Sequence, residues 1–206
     1  MKSKFIIPYS KTDKILSEYF AKDHFVLPRG RIRISLLLAV KRDIAFLRGL
    51  DLEKPPLDLT DEQKDIFMGR TPTISTVLTY CSAIDAIARV MKAKIPPSGK
   101  NALFFKWSAK KWFGISNNGV KVLWELRNSS VHQYTILAKS KISPHGFNGP
   151  VRYVGKGSWE FNLNGMYTSL LKAIELSYID IMKKSLKVRH KHSRFIYRYG
   201  FVFTQY

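Results

Sequence analysis

The chain has 206 residues, 45% of them hydrophobic and 13% aromatic, which suits one ordinary folded domain and rules out a wholly disordered polymer. Lys and Arg number 35 against 15 Asp and Glu, and the resulting +20 self-repels, so it points to a polyanionic partner. One cysteine, Cys81, excludes an internal disulfide and a four-cysteine zinc site; the longest nearly apolar run, Ile34 to Val40, is far short of a membrane span, and a reducing, cytoplasmic setting is expected.

In chain order, residues 1–71 are expected to form a helical extension packed on the core. Within it, Arg31 to Gly49 carries Ile34, Leu37, Leu38, Ile44 and Leu47 at helix-like spacing. Pro55 and Pro56 mark Asp51 to Leu59 as a linker, and Thr60 is positioned to cap a short helix to Met68. Thr71 followed by Pro72 predicts a helix start: a hydroxyl cap, then proline where its missing N–H costs nothing. Ile74, Val77, Leu78, Ile84, Ile87 and Val90 give this helix one apolar face, closed by Pro96 and Pro97.

Asn101 to Phe113 reads as the next helix, with Gly114 as its C-terminal cap. Ser116 or Asn117 caps another, whose apolar positions are Val120, Leu123, Trp124, Val131 and Tyr134. Ser140 to Pro150 is loop-rich. Gly155-Lys156-Gly157 between two short strand-like runs predicts a β-hairpin over 151–163, and a last long helix starts at Asn164 or Gly165. The tail, 188–206, is basic and alternates aromatics at Phe195, Tyr197, Tyr199, Phe201 and Phe203, the pattern of an extra strand or a docking arm. The expected fold class is mainly α: a helical bundle over 72–187 with a small hairpin insertion and a C-terminal strand or arm.

Charge is uneven. Residues 183–206 hold seven basic side chains and no acidic one, whereas 43–75 hold four basic and seven acidic. A nucleic-acid footprint would therefore draw on separated segments: Lys106, Lys110, Lys111 and Lys121 in the middle, and Lys187, Arg189, Lys191 and Arg194 near the end. Trp107 and Trp112 interleave with the first group. They are at least as readily explained by helix packing as by base stacking. His190-Lys191-His192 lacks a third ligand, and the surrounding cations oppose a metal ion. No metal or other cofactor is expected.

The most informative segment is Leu123-Trp124-Glu125-Leu126-Arg127-Asn128-Ser129-Ser130-Val131-His132-Gln133-Tyr134. On a helix Asn128 and His132, four apart, share a face, and Arg127 lies about 140° around the axis from His132. Polar Arg, Asn and His thus edge a helix whose other side is apolar. This Arg-Asn-x-x-x-His pattern, late in a helix, resembles the signature of the HEPN superfamily. The preceding helix around Val77 to Ala88, and the hairpin followed by a long helix, resemble that family too. The resemblance spans roughly 72–187.

The resemblance implies a metal-independent endoribonuclease working as a homodimer, of the kind that serves as a toxin or antiviral defence effector held by a neutralising acidic partner. RNA would supply its own 2′-hydroxyl nucleophile. His132 would move the proton, Arg127 would hold the phosphate, and Asn128 would bind phosphate or fix the imidazole tautomer. Asp85 and Tyr134 are the supporting side chains, with Asp85 expected to orient Arg127 or His132. Plainer readings stand beside these: a structural histidine, Arg127 paired to Glu125, an ordinary buried Asp85, or a non-catalytic RNA/DNA-binding or partner-binding module.

Overall fold

The structure is a computed structural model and describes residues 7–21, 24–26, 32–35, 37, 39–44, 72–128, 141–143 and 147–204. A 3₁₀ turn, Tyr9–Lys11, leads directly into helix α1 (Thr12–Ala21). Ile15, Leu16, Tyr19 and Phe20 form the buried face of α1, as apolar residues one turn apart should. Strands β1 (His24–Val26) and β2 (Ile32–Ser35) follow, and residues 39–44 are helical.

Helix α2 (Pro72–Lys92) begins at the proline that the sequence marks as its start. It ends where Ala93 takes the left-handed conformation, φ 45°. The N–H groups of Ala93 and Lys94 then turn back to the carbonyls of Val90 and Arg89, satisfying the last turn. Helix α3 (Asn101–Lys111) stops before Gly114, whose φ is +64°. Helix α4 (Asn117–Asn128) is capped by Ser116, whose Oγ accepts the Gly119 N–H at 3.2 Å.

Strand β3 (Lys141–Ser143) and the hairpin of β4 (Val151–Gly155) and β5 (Ser158–Asn162) make a three-stranded sheet in the order β3-β5-β4, with β3 parallel to β5. Lys156 and Gly157, both at positive φ (49° and 76°), form the tight turn, which suits the right-handed twist of the paired strands. Helices α5 (Leu163–Met182) and α6 (Leu186–Tyr199) and strand β6 (Phe201–Thr204) complete the described chain. Asn162 caps α5: its Oδ1 accepts the Gly165 N–H at 3.0 Å while its Nδ2 donates to the Phe147 carbonyl at 2.5 Å.

The protein is mainly α with a small hairpin. Leu16 and Tyr19 of α1, Tyr80, Ile84 and Ile87 of α2, Leu123 and Leu126 of α4, Leu170 of α5 and Ile196 of α6 belong to one buried cluster. Helix α1 packs along α6 and α5, so this part of the N-terminal region shares the core of 72–187.

Two stretches depart from the sequence expectation. The helix expected over Arg31 to Gly49 begins later, because Ile32 to Ser35 form β2, paired on one side with β1 and on the other with β6. Its first residues alternate β-branched Ile with other types, a strand pattern that two partners reinforce. The tail expected from 188 as a strand or arm is helical through Tyr199, and only Phe201–Thr204 is strand. There the 3.6-residue period prevails over the aromatic alternation, because His192, Phe195 and Ile196 all find buried places against the core. The expected short helix ending at Met68 lies outside the described residues.

Candidate functional site

Buried Val120, Leu123 and Leu126 fix the orientation of α4, which puts Arg127 and Asn128 at the edge of the core in its last turn. A cation there also opposes the negative end of the helix dipole. Helix α2 brings Asp85 alongside. Arg127 Nε donates to Asp85 Oδ2 at 2.5 Å, and Arg127 Nη1 donates to Asn128 Oδ1 at 2.7 Å. The guanidinium carbon lies 5.0 Å from the centroid of the Trp124 ring. The two ion-paired side chains are 26% and 17% exposed, so the pair is neither screened like a surface bridge nor fully desolvated. Arg127 thus pairs with Asp85, the carboxylate that sequence reasoning set beside it, and Glu125 remains exposed.

One turn before Asp85, the Cys81 thiol is buried and lies 3.5 Å from the Leu123 carbonyl. Burial pushes this thiol well above its usual range and the Asp85 carboxylate adds to that, with Arg127 opposing, so Cys81 is an inert packing group. His132 and Tyr134 lie outside the described residues.

The expected nucleic-acid residues separate into two groups. Lys106, Lys110 and Lys111 lie on α3 and Lys121 on α4, all exposed. Lys92 Nζ and Lys111 Nζ sit 4.0 and 5.7 Å from the centroid of Trp107, and Lys111 Nζ is 4.5 Å from that of Trp112. Trp112 is buried and meets Trp107 edge to face, so these rings are engaged in packing and cation–π contact. On α6, Lys187, Lys191 and Arg194 are exposed. Arg189 is not: it turns to the other side of α6, where its Nε lies 3.2 Å from Asp13 of α1, and it holds helices together instead of facing solvent.

Two histidines of α6 serve the fold. His190 Nδ1 lies 2.9 Å from the Thr12 hydroxyl, and its ring stacks on Tyr9 with centroids 3.9 Å apart. His192 Nδ1 donates to the Val90 carbonyl at 2.9 Å, tying α6 to α2. Their partners lie on different elements, so the two rings do not converge. Sequence reasoning met Arg198 only as the end of the basic stretch Lys183 to Arg198, which reads as a phosphate-binding arm, and did not single out Tyr9. The spacing of Lys187, Lys191, Arg194 and Arg198 in steps of four and three carried the signal for Arg198 once α6 is a helix. No described helix is long and apolar enough to cross a membrane. Compared with protein-family models, curated proteins and solved structures, the chain matches none.

Proposed function

We propose that the protein is a metal-independent endoribonuclease of HEPN type, acting as a homodimer with Arg127, Asn128 and His132 at its centre. The observation that carries this reading is the fixed guanidinium. An arginine has five N–H donors, and the bonds to Asp85 and Asn128 use two of them. The rest stay available to hold a phosphate, and Asp85 stops the side chain from swinging away. In the reaction, His132 takes the proton of the 2′-hydroxyl. The 2′-oxygen bonds to phosphorus, the bond from phosphorus to the 5′-oxygen breaks, and that oxygen gains a proton from the histidine of the second copy. Arg127 stabilises the added negative charge. The products are a 2′,3′-cyclic phosphate and a 5′-hydroxyl.

The test is incubation of the full chain with RNA in EDTA. Cleavage with cyclic-phosphate ends, lost in both His132→Ala and Arg127→Ala proteins that still fold, supports the reading. Unchanged cleavage in both variants discards it. A second reading, a non-catalytic nucleic-acid-binding module, is favoured by the cationic face of α6. It expects salt-sensitive binding without products, indifferent to His132→Ala.

A further inference from the structure

Helix α6 carries Lys187, Lys191, Arg194 and Arg198 at i, i+4, i+7 and i+11. At 3.6 residues per turn these positions fall within about 60° of one another, and at 1.5 Å per residue they extend about 16 Å. All four are exposed. Among the described residues none of them joins an ion pair: the carboxylates near this helix are committed elsewhere, Asp13 to Arg189 and Asp180 to Lys184. Four like charges at these spacings repel one another and weaken a helix. An anion lying along the stripe reverses that effect.

The stripe lines a groove of about 740 Å³ together with Ile7 and Tyr9. Aromatic rings border the cations on both sides. Phe195 and Tyr199 lie on one flank, with ring centroids 5.1 Å apart. On the other flank, Tyr9 stands on His190, which Thr12 holds in place. Tyr9 is 55% exposed and Tyr199 46%, so each offers ring surface to a ligand. Among the described residues no carboxylate lines the groove.

We propose that this groove binds single-stranded nucleic acid, its phosphates on the α6 stripe and its bases against Tyr9 and Tyr199. The combination selects that class. A duplex keeps its bases stacked inside and has none to lay on the rings. A membrane surface needs a free apolar helix face, and that of α6, with Phe195 and Ile196, is buried in the core. The inference does not depend on the cleavage reading, since none of its residues belongs to α2 or α4.

Binding is measured by fluorescence anisotropy on the full chain, with a labelled single strand about a dozen nucleotides long, a length within the usual site-size range. One arm uses DNA, which has no 2′-hydroxyl and so cannot be cut by the proposed route; a second uses RNA of the same sequence. Four phosphate contacts predict that log K falls with log salt at a slope of about −3, and Lys191→Ala/Arg194→Ala lowers that slope by about one and a half. Tyr9→Ala and Tyr199→Ala each weaken binding about five- to hundred-fold. Lys156→Ala/Lys172→Ala, which removes the same charge from exposed positions elsewhere, changes it far less. In the unaltered protein, photo-crosslinks fall on Tyr9 or Tyr199. The proposal is overturned if the two double variants weaken binding equally, if duplex competes as well as single strand, if crosslinks map to α3 alone, or if neither strand binds at low salt. No RNA cleavage by the unaltered protein, with DNA binding intact, would count against the nuclease reading alone.

Discussion

Asp85 and Arg127, 42 positions apart, meet as a charged hydrogen bond that joins α2 to α4 at the edge of the core. The same arginine reaches its neighbour Asn128, so a carboxylate on one helix sets the position of two polar groups on another. Any chemistry done by Arg127 is therefore conditioned by Asp85, a residue far from the motif in sequence.

A double-mutant cycle with Asp85→Ala and Arg127→Ala measures that link. The side chains are partly exposed, so a coupling of about 1–2 kcal/mol is expected, between surface and buried ion pairs. Urea denaturation of the four proteins gives the value. A coupling near zero means the pair does not orient the arginine.

Asn162 works in two directions, accepting from Gly165 and donating to Phe147. Asn162→Asp keeps the acceptor but sets a carboxylate against a carbonyl. A loss of about 1–3 kcal/mol is expected at neutral pH. Part of it should return near pH 4, where the protonated carboxyl donates again. Equal losses at both pH values would contradict the donor role.

At Gly165 the absence of a side chain matters because the loop crosses α5 there. A Cβ on that residue would lie 2.0 Å from the Gly149 carbonyl oxygen, a backbone atom with no rotamer to retreat to. Gly165→Ala is expected to cost about 1–3 kcal/mol or more through overpacking, read as a lower thermal midpoint. A midpoint within a degree or two of wild type, about the scatter of a neutral surface change, would show that the loop yields freely.

Burial holds the His192 imidazole below its ordinary range, with the Val90 carbonyl opposing and Lys184 and Lys191 adding to the effect. The unfolded chain therefore binds the proton more readily than the folded one. Stability from this group is complete above the unfolded value of about 6.5 and is lost as pH falls through the folded value. His192→Asn retains a donor for Val90 and does not titrate. The difference in unfolding free energy between wild type and variant should shrink from pH 7 to pH 5. A pH-independent difference would show that the ring takes up its proton equally readily in the folded and the unfolded chain.

Local chemistry made much of the fold legible. Pro72 marks a start, Ser116 a cap, and Gly155-Lys156-Gly157 a turn, because each of these acts through its own backbone. What escaped depends on distant partners. Ile32 to Ser35 became a strand because β6 lies against it, and nothing within residues 31–49 announces β6. The helical state of 186–199 was hidden by alternating aromatics, and it decides which cations share a face. Arg189 was grouped with Lys187 and Lys191 by charge alone; helical phase separates it from them. The link from Asp85 to Arg127 was readable as a possibility, since both sit on apolar-faced helices, but the choice of Asp85 over Glu125 follows from how α2 and α4 pack.

Strand β2 is sandwiched between β1 and β6, elements drawn from opposite ends of the described chain. During synthesis β2 emerges long before its second neighbour exists, and for that interval one row of its amides and carbonyls faces outward unmatched. Such an edge invites pairing with another nascent chain. Closing it brings together segments separated by nearly the full polypeptide, a slow kind of contact. Yield on expression should therefore be more sensitive to changes in Phe201–Thr204 than the small size of that strand suggests.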